Sequence, residues 1–234
     1  MSEDQKDHTA LVMSFYAVRQ SLGALGLALP VGLLAYGLGS GNGIEPSISE
    51  FYYTTMGDVL VGTLAAIGVF LFAYKGYARR SGEWVSDKWV ARTAGASAIG
   101  VALLPARPPV PCTGTGCLET GLSRHPEALH YASAVVFFAC LAVFSLVLFT
   151  RTGDSGQLSA RKRRSNKIYR ICGWLILAAL AALIALVLAG RFAGPAANDL
   201  IQRNDLIFWV EALGVWAFGI SWLVKGRAMR FLTG

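Results

Sequence analysis

Three ionisable side chains, Glu50, His130 and Glu211, lie inside or beside apolar segments of this chain, where they could do chemistry. An imidazole titrates near neutral pH, so His130 is suited to act as a general base, with Glu211 or Glu50 orienting it. The hydroxyls available as nucleophiles belong to Ser47, Ser49 and Ser133. No nucleophile elbow or comparable signature surrounds these serines, so the sequence leaves open whether any reaction is catalysed.

A second group of polar and aromatic side chains is predicted to contact a ligand. Residues 45–55 combine acids and hydroxyls with three adjacent aromatic residues, just before an apolar stretch. Such aromatic rings either stack on a ligand or anchor the chain among lipid headgroups, and both roles remain open. A helix-capping role is equally acceptable for Asp58. The predicted ligand-binding residues are Ser49, Tyr52, Tyr53, Asp58 and Trp209.

Six apolar stretches must position these residues. They are Leu22–Leu38, Met56–Tyr74, Trp89–Leu104, Leu129–Thr150, Ile168–Ala189 and Leu206–Val224. Each approaches the roughly 20 apolar residues that a bilayer-spanning helix needs, and they lack the alternation of a barrel strand. Because lipid offers no water to backbone polar groups, only helices or closed barrels cross it. The sequence therefore predicts an all-α polytopic membrane protein with six transmembrane helices in one bundle.

The composition leaves no room for a separate soluble domain. Only 15% of residues are charged, against about 25% in ordinary soluble domains. We expect one domain, residues 1–234, with an N-terminal cytoplasmic or interfacial segment (1–20), an outer loop (105–128) and a basic cytoplasmic loop (151–167). Within the first segment, Leu11–Val18 is predicted to be a short interfacial helix, separated from the first span by Arg19 and Gln20.

The distribution of Lys and Arg predicts the orientation. Basic residues concentrate in Lys75–Arg92, Arg151–Arg170 and the C-terminal tail, so the net charge of +7 does not indicate a nucleic-acid partner. The opposite loops hold only Arg107, Arg124, Arg191 and Arg203. The positive-inside rule then places both termini in the cytoplasm and the Glu50, His130 and Glu211 side chains in the extracytoplasmic half of a cytoplasmic (inner) membrane protein.

One basic run could have a second role besides setting the topology. Its residues are Arg161, Lys162, Arg163 and Arg164. Clusters of Lys and Arg beside a transmembrane helix attract anionic lipid headgroups. Contact with anionic lipid is therefore a possible further function of this run, and membrane lipids are the expected partners of the protein.

The four cysteines divide by location. Cys140 and Cys172 lie in apolar runs and are expected to be packing residues. Cys112 and Cys117 lie in the Gly-rich outer loop, where an oxidising compartment favours a disulfide. The alternative is a zinc site of the form C-x4-C-x7-H-x4-H with His125 and His130, but its Cys-to-His gap is shorter than usual. We therefore expect a Cys112–Cys117 disulfide and neither a metal ion nor another cofactor.

Several of these residues carry a family resemblance. The chain resembles the six-span family of the damage-regulated autophagy modulator (DRAM) and its relatives in GPI-lipid remodelling, and six-span bacterial proteins of the same layout. The resemblance rests on Pro46-Ser-Ile-Ser-Glu50, on Leu129-His130-Tyr131 and on Phe208-Trp-Val-Glu211. The chain departs from the eukaryotic pattern at Phe51–Thr55, where those proteins have a Gly/Pro-containing turn. The resemblance implies lipid-related work at the membrane.

A weaker resemblance is to alkaline-ceramidase-like membrane hydrolases, which hold zinc with several His, an Asp and a Ser. Residues Glu50-Phe51 through Thr54 are similar to their second-helix region. This chain has only three His, and its last helix carries Glu211 where those enzymes carry a His pair. Too few imidazoles therefore remain for a zinc hydrolase of that type.

Three functions compete. The first is an extracytoplasmic polar pocket, lined by Glu50, His130 and Glu211, that binds, senses or remodels a lipid headgroup. The second is a proton-coupled small-solute carrier in which Asp58 and Glu211 titrate. No inverted repeat and no polar path through the cytoplasmic half supports that function. The third is a structural or assembly protein whose polar cluster fixes helix register. We favour the first.

Overall fold

The computed structural model describes residues 3–41, 43–74, 76, 85–106, 126–151 and 159–229, and every regular element in these ranges is helical. The elements are α1 (Glu3–Gly39), a 3₁₀ helix (Ile48–Tyr53), α2 (Gly57–Ala73), α3 (Asp87–Leu103), α4 (Pro126–Val143) with a π-helical turn (Phe144–Leu148), α5 (Ala160–Phe192), α6 (Pro195–Arg203) and α7 (Leu206–Lys225). The prediction of an all-helical fold is confirmed for these residues.

Within the described ranges, six long helices (α1 to α5 and α7) pack in a closed ring. Each helix from α1 to α5 contacts the next in the chain, α5 packs on α7, and α7 returns to α1. Successive long helices run in opposite directions, so their connecting segments gather at the two ends of the bundle. The 3₁₀ end, as we call it, holds the 3₁₀ helix and the start of α7. The basic end holds residues 74, 76, 85–87, 149–151, 159–162 and 225–229.

Among the residues that the structure describes, four helices are long and apolar enough to cross a membrane. They are Met13–Gly39 of α1, Glu127–Leu148, Ala160–Phe192 and Leu206–Lys225. α2 is apolar but has 17 residues, which gives a length of about 26 Å against a hydrocarbon core of about 30 Å. α3 is equally short and less apolar. The predicted membrane embedding therefore agrees with the structure, whereas six crossings and their orientation stay predictions.

The predicted break between an interfacial helix and the first span is wrong. α1 continues without interruption from Glu3 to Gly39. The reason is that Arg19 is accommodated inside the bundle, with only 2% of its surface exposed. Its Nη2 donates to the Tyr74 hydroxyl at 3.2 Å, and its guanidinium lies 4.4 Å from the Phe15 ring centre. Because these neighbours stabilise the Arg19 guanidinium inside the bundle, the helix can continue through this position.

Glycines bring two helix pairs into close contact. A methyl group on Gly23 of α1 would lie 2.8 Å from the carbonyl oxygen of Gly219 on α7. On Gly95 of α3 it would lie 2.8 Å from the carbonyl oxygen of Gly68 on α2. In lipid, where packing drives helix association, such small residues let backbones touch. These glycines therefore allow close packing of α1 on α7 and of α2 on α3.

Candidate functional site

The 3₁₀ helix begins at a serine cap. Ser47 has extended backbone angles, and its Oγ accepts a hydrogen bond from the Ser49 N–H at 3.0 Å. The Glu50 N–H donates to the Ser47 carbonyl oxygen at 3.2 Å. Phe51, which is fully buried, anchors the helix with its ring centre 6.0 Å from that of Phe208 on α7. A cap at its start and an aromatic anchor within it hold this short element in place.

Glu211 ties this serine cap to α7. Its Oε2 accepts from the Ser47 hydroxyl at 3.0 Å and from the Ile48 backbone N–H at 2.6 Å. One turn earlier on α7, the Phe208 N–H donates to the Pro46 carbonyl oxygen at 2.9 Å. The first N–H groups of a helix have no partner within it, so Glu211 supplies a partner to the 3₁₀ helix from another part of the chain. Its role in the structure is to position residues 46–48.

His130 lies between the 3₁₀ helix and the end of α3. It is 97% buried, with 3% of its surface exposed, and its Nδ1 lies 2.7 Å from the Leu104 carbonyl oxygen. Its Nε2 lies 3.0 Å from Ser49 Oγ. A carbonyl oxygen only accepts, so Nδ1 carries a proton, and the Nε2 of a neutral imidazole then accepts from the Ser49 hydroxyl.

This Ser49–His130 pair has the geometry of an activated nucleophile. Ser49 is partly exposed whereas the imidazole behind it is buried. A hydroxyl within hydrogen-bond reach of a base that a third group orients is the general arrangement of a nucleophilic serine. The sequence suggested Glu211 or Glu50 as the orienting group. The structure instead has the Leu104 carbonyl, which no sequence motif would have revealed.

Tyr53 fastens the other end of the 3₁₀ helix to the chain segment after α3. Its hydroxyl donates to the Ala106 carbonyl oxygen at 2.6 Å. Ala106 follows Leu104 by two residues, so Tyr53 and His130 together join the 3₁₀ helix to residues 104–106. The Tyr53 ring is 42% exposed and lies 5.2 Å from that of Tyr52. Tyr53 therefore has a positioning role.

A surface groove lies between the end of the 3₁₀ helix and the first turns of α2. It has a volume of about 540 Å³, and its lining includes Tyr52, Asp58 and Val61. In a 3₁₀ helix, side chains three residues apart lie on the same face, about 6 Å apart along the axis. Ser49 and Tyr52 are so related, so Ser49 shares a face of the 3₁₀ helix with one residue that lines the groove. Asp58 is exposed in the first turn of α2 and is not its capping residue, which is Met56.

Glu50 belongs to a group of carboxylates at this end. Partial burial, reinforced by the nearby Glu45, raises the pKa of Glu50 above its ordinary value. Burial, reinforced by Asp205, likewise raises the pKa of Glu45. The Glu50 backbone N–H takes part in the cap of the 3₁₀ helix, but no described residue donates a hydrogen bond to the Glu50 carboxylate. These carboxylates make the rim of the site acidic.

Two other sequence-selected residues lie apart from the pair. Trp209 is 42% exposed and packs against Phe208 on the outside of α7. Ser133 packs against Gly100, since a methyl group there would meet its Oγ at 2.6 Å.

The basic end contains buried polar residues that the sequence reasoning missed. Asp87 is 2% exposed and forms a 3.0 Å ion pair with Arg151, and the Ser145 hydroxyl donates to that of Ser221 at 3.1 Å with both fully buried. The sequence indicated no polar path through the half of the bundle predicted to be cytoplasmic, and it identified neither of these two pairs. The charges of Asp87 and Arg151 near predicted span ends were the available signal, but the basic residues around them suggested only topology.

Metal ligation has no support within the part of the chain that the structure describes. There, no three His, Cys, Asp or Glu side chains approach closely enough to hold a metal ion. Cys112, Cys117 and His125 lie outside the described residues, so the predicted disulfide and its zinc alternative stay predictions. Cys140 and Cys172 are free thiols.

Comparison with known proteins adds no family. No family model, no curated protein sequence and no solved structure matches the chain significantly. The resemblance to DRAM-like proteins therefore stays a prediction, and the case for function rests on the site itself.

Proposed function

We propose that this protein is an integral membrane enzyme that remodels a lipid by acyl transfer at the 3₁₀ end of the bundle. The observation that carries the proposal is the 3.0 Å contact between Ser49 Oγ and His130 Nε2, with Nδ1 held at 2.7 Å by a carbonyl. Ser49 is the nucleophile, His130 the general base, and Glu211 a positioning residue. The alternative of lipid binding or sensing without catalysis uses the same site.

The proposed reaction uses the hydrogen bond directly. Ser49 Oγ attacks the carbonyl carbon of a lipid ester while His130 Nε2 takes the hydroxyl proton. When the tetrahedral intermediate collapses, the bond to the leaving alcohol breaks and the imidazolium returns the proton to that oxygen. Water, or an acceptor hydroxyl, then attacks the acyl-serine with His130 again acting as the base, which restores Ser49.

The groove favours a headgroup that bears an ammonium. Its lining includes the Asp58 carboxylate and the Tyr52 ring but no basic side chain. A carboxylate pairs with a cation, and the face of an aromatic ring attracts one. Because Tyr52 and Ser49 lie on the same face of the 3₁₀ helix, a headgroup in the groove would leave its ester near the hydroxyl.

The topology proposed with this function has six crossings, by α1 to α5 and α7, with both termini in the cytoplasm. The support is the charge distribution, since the described ends of α2, α4 and α7 at the basic end are flanked by Arg and Lys. The 3₁₀ end then faces the extracytoplasmic side. This orientation would expose Ser49 to lipids of the outer leaflet.

The carrier alternative is less well supported. Between Glu211 at one end and the Ser145–Ser221 pair near the other lie three buried aromatic residues, Phe137, Phe138 and Phe218. The rings of Phe137 and Phe218 are 6.4 Å apart in an edge-on contact. A solute path along the bundle axis would have to pass this layer.

A fluorophosphonate probe tests the proposal, because it labels only a serine whose hydroxyl is activated. The purified protein in lipid nanodiscs should be labelled, and Ser49→Ala should abolish the labelling. Ser133→Ala is the matched control, because Ser133 lies one turn from His130 on the same helix yet packs on Gly100. Peptide mapping should place the adduct on Ser49.

Lipid turnover provides the second measurement. Incubation with diacyl phosphatidylethanolamine should release fatty acid or form an acyl-transfer product. Ser49→Ala should lower the rate by roughly 10⁴-fold or more, the order found when a catalytic triad member is replaced. Absence of labelling and of turnover in a folded wild-type protein would refute the enzyme. Retained binding of the lipid in that case would favour a sensor, and no binding an assembly protein.

A further inference from the structure

One face of α5 combines basic, aromatic and apolar side chains in a fixed order. This face carries a groove of about 680 Å³, and every residue that lines the groove belongs to α5. We call the set the basic–aromatic face. Its charged and large apolar members are Arg163, Lys167, Arg170, Ile171, Trp174 and Leu175.

The three cations of this face share one side of the helix. Arg163, Lys167 and Arg170 follow one another at spacings of four and three residues, which align side chains on an α-helix. All three are exposed, and no acidic residue contributes to the groove. The groove is therefore complementary to a negatively charged group.

The apolar half of the face lies deeper along the helix axis. Trp174 is one turn beyond Arg170 and is 65% exposed, and Ile171 is 50% exposed. α5 is also the least buried of the four long apolar helices, with 22% of its most apolar window covered by the bundle. In a bilayer these side chains would meet acyl chains, with the indole near the headgroup boundary.

The dimensions match one lipid molecule. From Arg163 to Ala178, the last residue of the groove, the chain advances fifteen positions, or about 22 Å at 1.5 Å per residue. One leaflet, including its headgroups, measures about half of 40–45 Å. A lipid standing along α5 would therefore place its phosphate at the cations and its chains at the apolar residues.

We propose that the basic–aromatic face of α5 is a binding site for one anionic phospholipid of the leaflet at the basic end. The site lies on the opposite end of the bundle from Ser49 and does not depend on the proposed reaction. From the sequence, the whole Arg161–Arg164 run is a candidate for lipid contact, but only Arg163 of that run lines the groove. Lys162 turns inward and donates to the Phe149 carbonyl oxygen at 2.8 Å, while Lys167 and Arg170 join Arg163 in the groove.

Tryptophan quenching by brominated lipid tests the site. The protein is reconstituted with dibromo-phosphatidylglycerol or dibromo-phosphatidylcholine at equal mole fraction, and the Trp174 signal is obtained by subtracting the spectrum of Trp174→Phe. We expect the anionic lipid to quench Trp174 at several-fold lower mole fraction. Lys167→Gln combined with Arg170→Gln should reduce this preference by roughly fivefold for each charge removed.

The matched control is Arg161→Gln combined with Arg164→Gln, which removes the same charge from residues outside the groove. This variant should keep most of the preference. Equal quenching by the two lipids, or equal loss of preference in the two double variants, would overturn the site and leave only a diffuse surface charge. Disulfide cross-linking of Trp174→Cys between protomers in the membrane would also overturn it, by assigning the face to a second copy of the chain.

Discussion

Glu211 and Ser47 are separated by 164 residues in the chain, yet the hydroxyl of Ser47 donates to the Glu211 carboxylate at 3.0 Å. The same carboxylate oxygen accepts from the N–H of Ile48. The contact fixes the start of the 3₁₀ helix on α7, and two residues later that helix presents Ser49 to His130. Glu211 thus acts on the candidate site through the backbone and not by touching the imidazole.

Two replacements of Glu211 distinguish the contribution of its hydrogen bonds to stability from the contribution of its charge. Glu211→Leu leaves the Ile48 N–H and the Ser47 hydroxyl without an acceptor, and each such loss costs about 1–3 kcal/mol when no water replaces it. Glu211→Gln retains an amide oxygen as acceptor and should unfold close to the wild type. Thermal unfolding in detergent measures both. Equal destabilisation by the two variants would contradict the capping role and point to the charge.

Gly57 is predicted to be indispensable for the geometry of the site. A methyl group there would overlap the Tyr52 carbonyl oxygen, which belongs to the 3₁₀ helix. Gly57→Ala should therefore displace this helix, destabilise the protein by about 1–3 kcal/mol and reduce fluorophosphonate labelling of Ser49. Gly62→Ala is the control, because no atom lies within 4 Å of a methyl group at that position of the same helix. Similar behaviour of the two variants would argue against close packing at Gly57.

The crossing of α1 and α7 should be equally sensitive to side-chain size. In Gly23→Ala the new methyl group would meet the Gly219 carbonyl oxygen at 2.8 Å and Leu223 of α7 at 2.6 Å. We expect a loss of about 1–3 kcal/mol, as for overpacked cores. Gly32→Ala on the same helix has open space around it and should be neutral or slightly stabilising, because alanine favours helix. Steric-trap or denaturant unfolding in bicelles would measure the difference.

The carboxylates at the 3₁₀ end predict a pH dependence of stability. Burial raises the pKa of Glu50 in the folded protein, so its protonated form stabilises the fold relative to the ionised form. This contribution is complete below the unfolded-state pKa, about 4.3, and is lost as pH rises through the raised folded-state pKa. Glu50→Gln should therefore flatten the decline of the melting temperature above pH 4.3. An equally steep decline in Glu50→Gln and in the wild type would contradict the assignment to Glu50.

The proposed orientation predicts the accessibility of the chain between α4 and α5. A single cysteine introduced at Ser159, which is exposed just before α5, should resist membrane-impermeant maleimide in intact cells and react after permeabilisation. A cysteine at Asn204, exposed at the 3₁₀ end, should react in intact cells. The reverse pattern would invert the topology and move the Ser49–His130 pair to the cytoplasmic side.

The apolar runs determined the helices of this protein without help from tertiary structure. The predicted stretches Leu22–Leu38 and Leu206–Val224 fall inside α1 and α7, because hydrophobic length is a local property and lipid demands internal backbone hydrogen bonds. The sequence also selected His130, Glu211 and the segment around Ser49, because polar groups are costly in apolar surroundings and so stand out.

Only the tertiary structure decided how these residues are connected. The Leu104 carbonyl orients His130, and backbone acceptors have no signature in a sequence because every residue carries one. The length of α1 was likewise decided by a distant contact, since Tyr74 and Phe15 accommodate the Arg19 side chain that was expected to end the helix. Local composition sets which segments are helical, but hydrogen-bond partners depend on which segments meet when the ring closes, and those contacts join residues far apart in the chain.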